Sequence, residues 1–246
     1  MEENVLEKLA NMLKNARRAV FFGGAGVSTE SGIPDFRSTD GLYHQQWSDP
    51  PETILSHTYF WMKTEAFYDF YRKKMLFPDA KPNPAHIALA ELEKRGILSA
   101  VITQNIDGLH QQAGSKNVIE LHGSVLRNYC TRCRKPYTVE DILRSTGVPC
   151  CSCGAVIKPD VVLYEEQLPS RAIEDALNAI ERADLLIIGG TSLSVYPAAG
   201  FVQGYHGPLV IINRSATSMD RRADLCISEP IGKTLEAAMK LLDGNG

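Results

Sequence analysis

Four short apolar runs constrain this chain more than any other feature: "AVFFGG", "SAVITQN", "DLLIIGGTS" and "PLVIIN". Each is apolar at consecutive rather than alternate positions. That is the pattern of a strand buried on both faces, as in a parallel sheet sandwiched between helices. Between the runs lie helical patterns such as "NPAHIALAELEKRG", with Gly96 placed as a C-cap, and "SRAIEDALNAIERA". The alternation predicts an α/β fold, an open parallel Rossmann-like sheet with helices on both faces. Ligands of such sheets bind at the carboxyl ends of the strands, and all four runs deliver a loop to that end.

Two stretches break the rhythm. Residues 38–77 carry many aromatics and no sheet strand, and residues 123–159 hold five of the six cysteines. Both read as insertions. The expected layout is one domain over 1–246, with a larger lobe from 1–37, 78–122 and 160–246 and a smaller lobe from 38–77 and 123–159. The start, "MEENVLEKLANMLKNARR", places Val5, Leu6, Leu9, Met12, Leu13 and Ala16 at helical spacing, and lacks the basic end and apolar core of a signal peptide. No apolar run reaches the ~18 residues of a membrane span. A formal net charge of -3 gives no basic footprint for nucleic acid. The expectation is a cytoplasmic monomer.

Cys130-x-x-Cys133, sixteen residues, then Cys150-x-x-Cys153 has the spacing of a four-thiolate zinc site. Four soft ligands close a tetrahedron and leave no position for water or substrate, so the expected zinc is structural. Clustering in a reducing compartment argues against disulfides. Cys151 is an extra thiol inside the second pair and leaves the third ligand open between Cys150 and Cys151; spacing favours Cys150. Cys226 follows a predicted strand and reads as a small core residue.

Behind "AVFF" comes "GGAGVSTESGIPDFRS". Gly24 and Gly26 open it as a phosphate-cradling turn would, because glycine lets backbone N–H groups approach an anion. The third glycine of the usual Gly-x-Gly-x-x-Gly is replaced by Thr29, and the polar, broken tail is not a plain crossover helix. Three more loops are polar at strand ends: "TQNIDGLHQQAG" with Gln104, Asn105 and Asp107, "ELHGS" with His122, and "GGTSLSVYPAAG" with Thr191 and Ser192. Singly, each has a bland explanation, since Asn and Asp cap turns and a lone His is more often structural. Together they crowd the ligand side of the sheet.

With these motifs in order, the sequence resembles the sirtuin family of NAD-dependent protein deacylases from residue 5 to residue 242. The resemblance implies that NAD is the co-substrate and one zinc ion is structural. Gly24, Ala25, Gly26, Thr29 and Arg37 would then meet the phosphates and ribose, and Phe36 would cover the nicotinamide. Gln104, Asn105, Ile106 and Asp107 would line the nicotinamide pocket, with Asn105 also ordering the ribose or a water. Thr191, Ser192, Asn213 and Ile231 would hold the adenosine half. His122 would be the general base, a task suited to imidazole. The acyl-lysine carbonyl oxygen would attack C1′ of the nicotinamide ribose, and products would be free lysine, nicotinamide and O-acyl-ADP-ribose. Partners would be acetylated-lysine proteins or peptides.

Two departures qualify the match. Many sirtuins carry Phe-Phe-Gly-Glu in the substrate strand, where this chain has Leu163, Tyr164 and Glu165 in "VVLYEE". A bound peptide would add as a strand between this segment and Val195, with Val162 contacting the acyl-lysine. Sirtuins preferring acidic acyl groups share a Tyr-x-x-Arg pair. Here Tyr68-x-x-Tyr71 puts Arg72 one position late, so Arg72 is expected to turn away from the face of Tyr68 and acetyl-lysine to be preferred. Mono-ADP-ribosyl transfer is the alternative activity. A zinc-bearing dehydrogenase explains the sheet and cysteines but not "PDFR" or "QNID", and no acidic residue ends a second strand ~20 residues after the glycines. A zinc-ribbon binding module fails on the polar strand ends.

Overall fold

The computed structural model describes residues 3–35 and 49–244. Among these the strands are β1 (Ala19–Gly23), β2 (Leu98–Thr103), β3 (Val118–Glu120), β4 (Gly123–Cys130), β5 (Pro136–Thr138), β6 (Ile157–Val161), β7 (Leu185–Gly189), β8 (Leu209–Ile212) and β9 (Leu225–Ile227). The helices are α1 (Glu3–Asn15), α2 (Pro51–Ile54), α3 (His57–Met62), α4 (Thr64–Lys74), α5 (Pro84–Lys94), α6 (Leu109–Ala113), α7 (Val139–Arg144), α8 (Ser170–Glu181), α9 (Ala198–Phe201) and α10 (Ile231–Leu242). None is long and apolar enough to cross a membrane.

Six strands form a parallel sheet in the order β3-β2-β1-β7-β8-β9. The four apolar runs are its centre, and their consecutive burial has a simple cause. On β1, Ala19 and Phe21 enter one core while Val20 and Phe22 enter the other, all fully buried. Helices α1, α5 and α10 cover the first face through Leu9, Leu13, Leu89, Leu92 and Leu235. Helix α8 covers the second with Ala176 and Ile180, beside Ala198 and Ala199 of α9. Helix α5 begins where Asn83 accepts a hydrogen bond from the Ala85 N–H, with Pro84 at the first helical position, and stops before Gly96 at φ 71°. Cys226 departs from the expectation of a core residue. It lies within β9 and is exposed, because on this edge strand Leu225 and Ile227 take the core side.

A second, antiparallel sheet, β5-β4-β6, leaves the main sheet after β3 and carries the cysteines. Its apolar face joins Phe60, Phe67, Tyr68, Phe70 and Tyr71 of α3 and α4 in a third core cluster, with Val125, Ile142, Ile157, Val161 and Leu163.

The order of the main sheet reverses between β1 and β7, so the connections from these neighbours run to opposite sides and leave a crevice between their loops. There the two loops touch backbone to backbone. The Gly26 N–H donates to the Gly190 carbonyl at 2.8 Å, and a Cβ on Gly26 would meet Gly190 Cα at 2.8 Å. Gly190 itself has φ 59°, and its Cβ would fall 2.4 Å from the Val27 nitrogen. Gly190→Ala therefore combines left-handed strain with a backbone clash and is expected to lower Tm by at least ~4 °C. Gly96→Ala, with φ 71° but open space around it, carries only the strain and should cost roughly half as much or less. Thermal melts of both variants check the ranking.

Candidate active site and cysteine cluster

The loop after β1 runs through two short 3₁₀ turns, Ala25–Val27 and Thr29–Ser31. Asn83 holds it from behind, donating from Nδ2 to the Val27 carbonyl at 2.7 Å and to Ser31 Oγ at 3.0 Å. Glu30 ties its far end to α10 by accepting the Gly232 N–H at 2.7 Å, a carboxylate at a helix N-terminus. Thr29 Oγ1 donates to the Gly26 carbonyl at 3.0 Å.

Buried Ser28 is the junction with the loop after β2. Its hydroxyl donates to Asp107 Oδ2 at 2.6 Å and accepts from Asn105 Nδ2 at 3.0 Å. Asp107 Oδ1 in turn accepts the Leu109 N–H at 2.9 Å and starts α6. The Gln104 N–H donates to the Gly23 carbonyl at 3.0 Å, while its Nε2 reaches Thr191 Oγ1 at 3.2 Å. Asn213 Nδ2 donates to the Ser215 carbonyl at 2.7 Å, which fixes the loop after β8.

His122 sits between β3 and β4, with Nδ1 at 2.9 Å from the Gln104 carbonyl. A carbonyl oxygen only accepts, so Nδ1 carries the proton and Nε2 is left with its lone pair. Burial lowers the pKa of His122 below the usual imidazole value, against the opposing pull of that same hydrogen bond. The ring is therefore a neutral base at neutral pH.

These loops enclose a cleft of about 1010 Å³, the upper end of the range for small-molecule sites. Gly24, Ala25, Gly26, Thr29, Gln104, Asn105, Ile106, Asp107, His122, Val162, Thr191, Ser192, Val195, Asn213 and Ile231 all line it. Phe36 and Arg37 lie outside the described residues. Sequence reasoning missed Ser28, Asn83 and Glu30. Ser28 lay inside a quoted motif, whereas the partners of Asn83 and Glu30 are distant in sequence and gave no local signal.

Along the cleft, the Val162 N–H donates to the His122 carbonyl at 3.0 Å, and Tyr164 pairs with Leu55 and His57 through its N–H (3.0 Å) and carbonyl (2.9 Å). Glu165 has φ 73°, a conformation that a glycine would adopt without strain. Its Oε2 accepts the Thr58 N–H at 2.8 Å at the start of α3, which offsets part of that strain.

Arg72 corrects one expectation. Four residues bring a helix back to the same face, so Arg72 lies over the Tyr68 ring, 5.2 Å from its centroid, rather than on another face. The pair points out of the cleft all the same. Arg72 donates to the Ile142 carbonyl at 3.0 Å, and to Ser145 Oγ and the Gly147 carbonyl at 2.8 Å each, while Tyr68 Oη donates to the Ile157 carbonyl. It is Tyr71, one position earlier, that lines the cleft.

The sulfurs of Cys130, Cys133, Cys151 and Cys153 lie within 4.8 Å of one another. Cys130 and Cys153 are 3.4 Å apart, and Cys133 and Cys151 3.6 Å. Ligands at ~2.3 Å around a tetrahedral zinc sit about 3.8 Å from each other, so the set fits that ion. Backbone N–H groups of Arg132 and Cys133 donate to Cys130 Sγ at 3.4 Å, and that of Cys153 to Cys151 Sγ at 3.5 Å. These bonds favour thiolates. Cys150, favoured by spacing, is not in the cluster. It pairs with Val156 in an antiparallel bridge, and neighbouring residues of extended chain point to opposite sides. Cys151 turns inward and is buried, Cys150 outward and exposed. The geometry thus makes Cys151-x-Cys153 the candidate second ligand pair.

Fold and cleft together define a nucleotide-site α/β protein with a closed thiolate module. The model of the Sir2 family matches residues 24–197. A protein of Clostridium perfringens named NAD-dependent protein deacetylase is 56% identical over 238 residues, covering 95% of this chain and 98% of its own. A solved Sir2 structure with a deacetylated p53 peptide and 3′-O-acetyl ADP ribose superposes with TM-score 0.89 at 42% identity, covering 96% of this chain and 98% of that one. Another, a Sir2–p53 peptide–NAD+ complex, gives 0.85 at 42% identity and 99% of each chain. This chain belongs to the Sir2 family.

The cysteine geometry separates two variants. Cys151→Ser is expected to lose the single zinc and melt at lower temperature, since structural zinc binding is coupled to folding. Cys150→Ser should keep one zinc per chain and a wild-type melting curve. Elemental analysis and thermal melts of both variants decide which sulfur binds.

Proposed function

We propose that this chain is an NAD-dependent protein-lysine deacetylase, releasing nicotinamide and O-acetyl-ADP-ribose. The observation that carries the reading is a neutral His122 with an open Nε2, in one cleft with the glycine loop after β1. NAD, when bound, supplies a ribose carbon open to attack and an ADP-ribose that accepts the acyl group. The glycine turn meets its phosphates with Thr29 and Arg37, Phe36 covers the nicotinamide end, and Thr191, Ser192, Asn213 and Ile231 hold the adenosine half. Asn105, Ile106 and Asp107 line the nicotinamide pocket with Gln104, held in place by Ser28. His122 Nε2 takes a ribose hydroxyl proton while its Nδ1–H stays on the Gln104 carbonyl.

The acetylated peptide lies as an extended strand between the Val162 segment and Val195. With its N–H already used, Val162 offers the acyl-lysine its carbonyl. In this reading the cleft lies between a larger lobe (1–37, 78–122 and 160–246) and a smaller one (38–77 and 123–159). The enzyme works as a monomer, in a reducing compartment such as the cytoplasm where the thiolate cluster persists. Mass spectrometry of products from NAD and an acetyl-lysine peptide tests the activity; an ADP-ribosylated peptide in place of deacetylated peptide and O-acetyl-ADP-ribose would overturn it.

Two further outcomes follow from the site. His122→Ala should keep fold and zinc but lose ~10²–10⁴-fold in turnover. Because burial depresses the His122 pKa, the base form is lost only as pH falls below the ordinary value of ~6.5, so the acidic limb of kcat/KM should lie beneath that pH. An acidic limb above it would show that another group controls the rate.

Acetyl-lysine should exceed succinyl-lysine by more than ~10² in kcat/KM on one peptide. Arg72 is committed elsewhere, Lys74 on the cleft wall has an interaction of its own, and an unpaired carboxylate costs several kcal/mol to bury. Equal desuccinylation would place a cation in the pocket.

A further inference from the structure

Glu165 stands on the cleft wall with φ 73°, a left-handed conformation that costs strain in a residue with a Cβ. We propose that its carboxylate reads a basic residue beside the acetyl-lysine, so that this chain selects acetylated peptides with a lysine or arginine within three residues of the modified one. This rests on the deacetylase reading and its peptide path, and deepens it by naming a substrate class.

The backbone around Glu165 is nearly saturated. The Val162 N–H donates to the His122 carbonyl, the Leu163 N–H to Glu166 Oε2 at 2.9 Å and the Tyr164 N–H to the Leu55 carbonyl. The Leu163 carbonyl accepts from the Glu166 N–H, and the Tyr164 carbonyl from the His57 N–H. Among the described residues, the backbone groups of 162–165 left without a partner are the Val162 carbonyl and both groups of Glu165. An extended peptide pairing with this wall finds its hydrogen bonds at those two residues, and the Glu165 side chain stands beside the second. Three residues of extended chain span at most ~10 Å, about three residues of a peptide running alongside. The group that Glu165 reads therefore lies within three residues of the acetyl-lysine met by Val162.

The carboxylate suits a cation. Its Oε2 accepts the Thr58 N–H at 2.8 Å, so the side chain is ordered before any peptide arrives, while Oε1 has no partner among the described residues. Hydrogen bonding from Thr58, with a smaller pull from nearby His57, holds the carboxyl below its ordinary pKa and keeps it ionised at neutral pH. Adjacent Glu166 differs, because its charge is met within the chain: Oε1 lies 2.9 Å from His57 Nδ1 and Oε2 3.1 Å from Lys158 Nζ. An exposed ion pair usually gains little, since two long side chains lose their freedom to form it. Here one of the two is already fixed.

The test uses the zinc-loaded full chain, NAD and end-blocked acetyl-lysine peptides of otherwise uncharged sequence. Each peptide carries one lysine, alanine or glutamate at a single position within three residues of the acetyl-lysine, on either side. At one or more positions lysine should exceed alanine in kcat/KM by about fivefold, the upper end for an exposed pair, and glutamate should fall below alanine. The gain should lie in KM rather than kcat, because the contact is the same in the bound state and the transition state. It should shrink as salt is raised. In Glu165→Gln the amide oxygen still accepts from Thr58 but the charge is gone, so the three peptides should be turned over alike. A wild-type ratio of lysine to alanine below about two at every position overturns the proposal. So does a gain that Glu165→Gln, or high salt, leaves intact. Glu165→Gly, which relieves the strained backbone, replaces the glutamine variant if that one does not fold. If acetyl peptides are cleaved without regard to charge, only the assignment of Glu165 fails. If no peptide releases nicotinamide, the deacetylase reading fails and takes this one with it.

Discussion

The backbone contact between Gly26 and Gly190 is what the rest of the site depends on. Two loops leave neighbouring parallel strands at the point where strand order reverses, and only residues without side chains let them approach to a 2.8 Å hydrogen bond. Once they touch, distant residues fall into reach: Thr191 meets Gln104, and Ser28 meets Asn105 and Asp107. The network needs no long side chains or loop closure of its own. Short polar groups at strand ends suffice because the sheet sets their spacing.

The cysteine cluster plays a supporting part by a different route. Cys130 and Cys151 are buried in the same apolar cluster as Tyr68, Tyr71 and Leu163. Arg72 adds three hydrogen bonds from α4 to the segment around α7. A metal ion held by the thiolates would therefore brace one wall of the cleft, which none of the four cysteines lines.

What was legible in the sequence is what depends on short-range pattern. Strands buried on both faces, Gly96 after α5 and the polar strand ends could be read because each is fixed by residues close in sequence. Cys151 could not, since spacing fixes how far apart two thiols are along the chain but not which of two adjacent ones turns inward. The reasoning about Arg72 failed on geometry, because an i, i+4 residue shares a face with its partner; the side chain leaves the cleft because carbonyls of another segment hold it. Asn83 and Glu30 were invisible for a related reason. Their partners are 56 and 202 residues away, and only the folded chain brings them together.

His122 stands just after β3, where the chain leaves the main sheet, and Val162 just after β6, where the second sheet ends. The two are joined by one backbone hydrogen bond, and Gly123 is pressed so closely on the Asp160 carbonyl that no Cβ fits there. Everything between them, including all four clustered cysteines, is thus an excursion closed at a narrow neck. Such a unit can open and close cooperatively while the larger sheet stays intact. His122, the base of the proposed reaction, is mounted on that neck. A disturbance in the excursion that shifted this neck would shift the imidazole with it, so in the proposed reaction the base would also serve as a gauge of whether the attached module is folded.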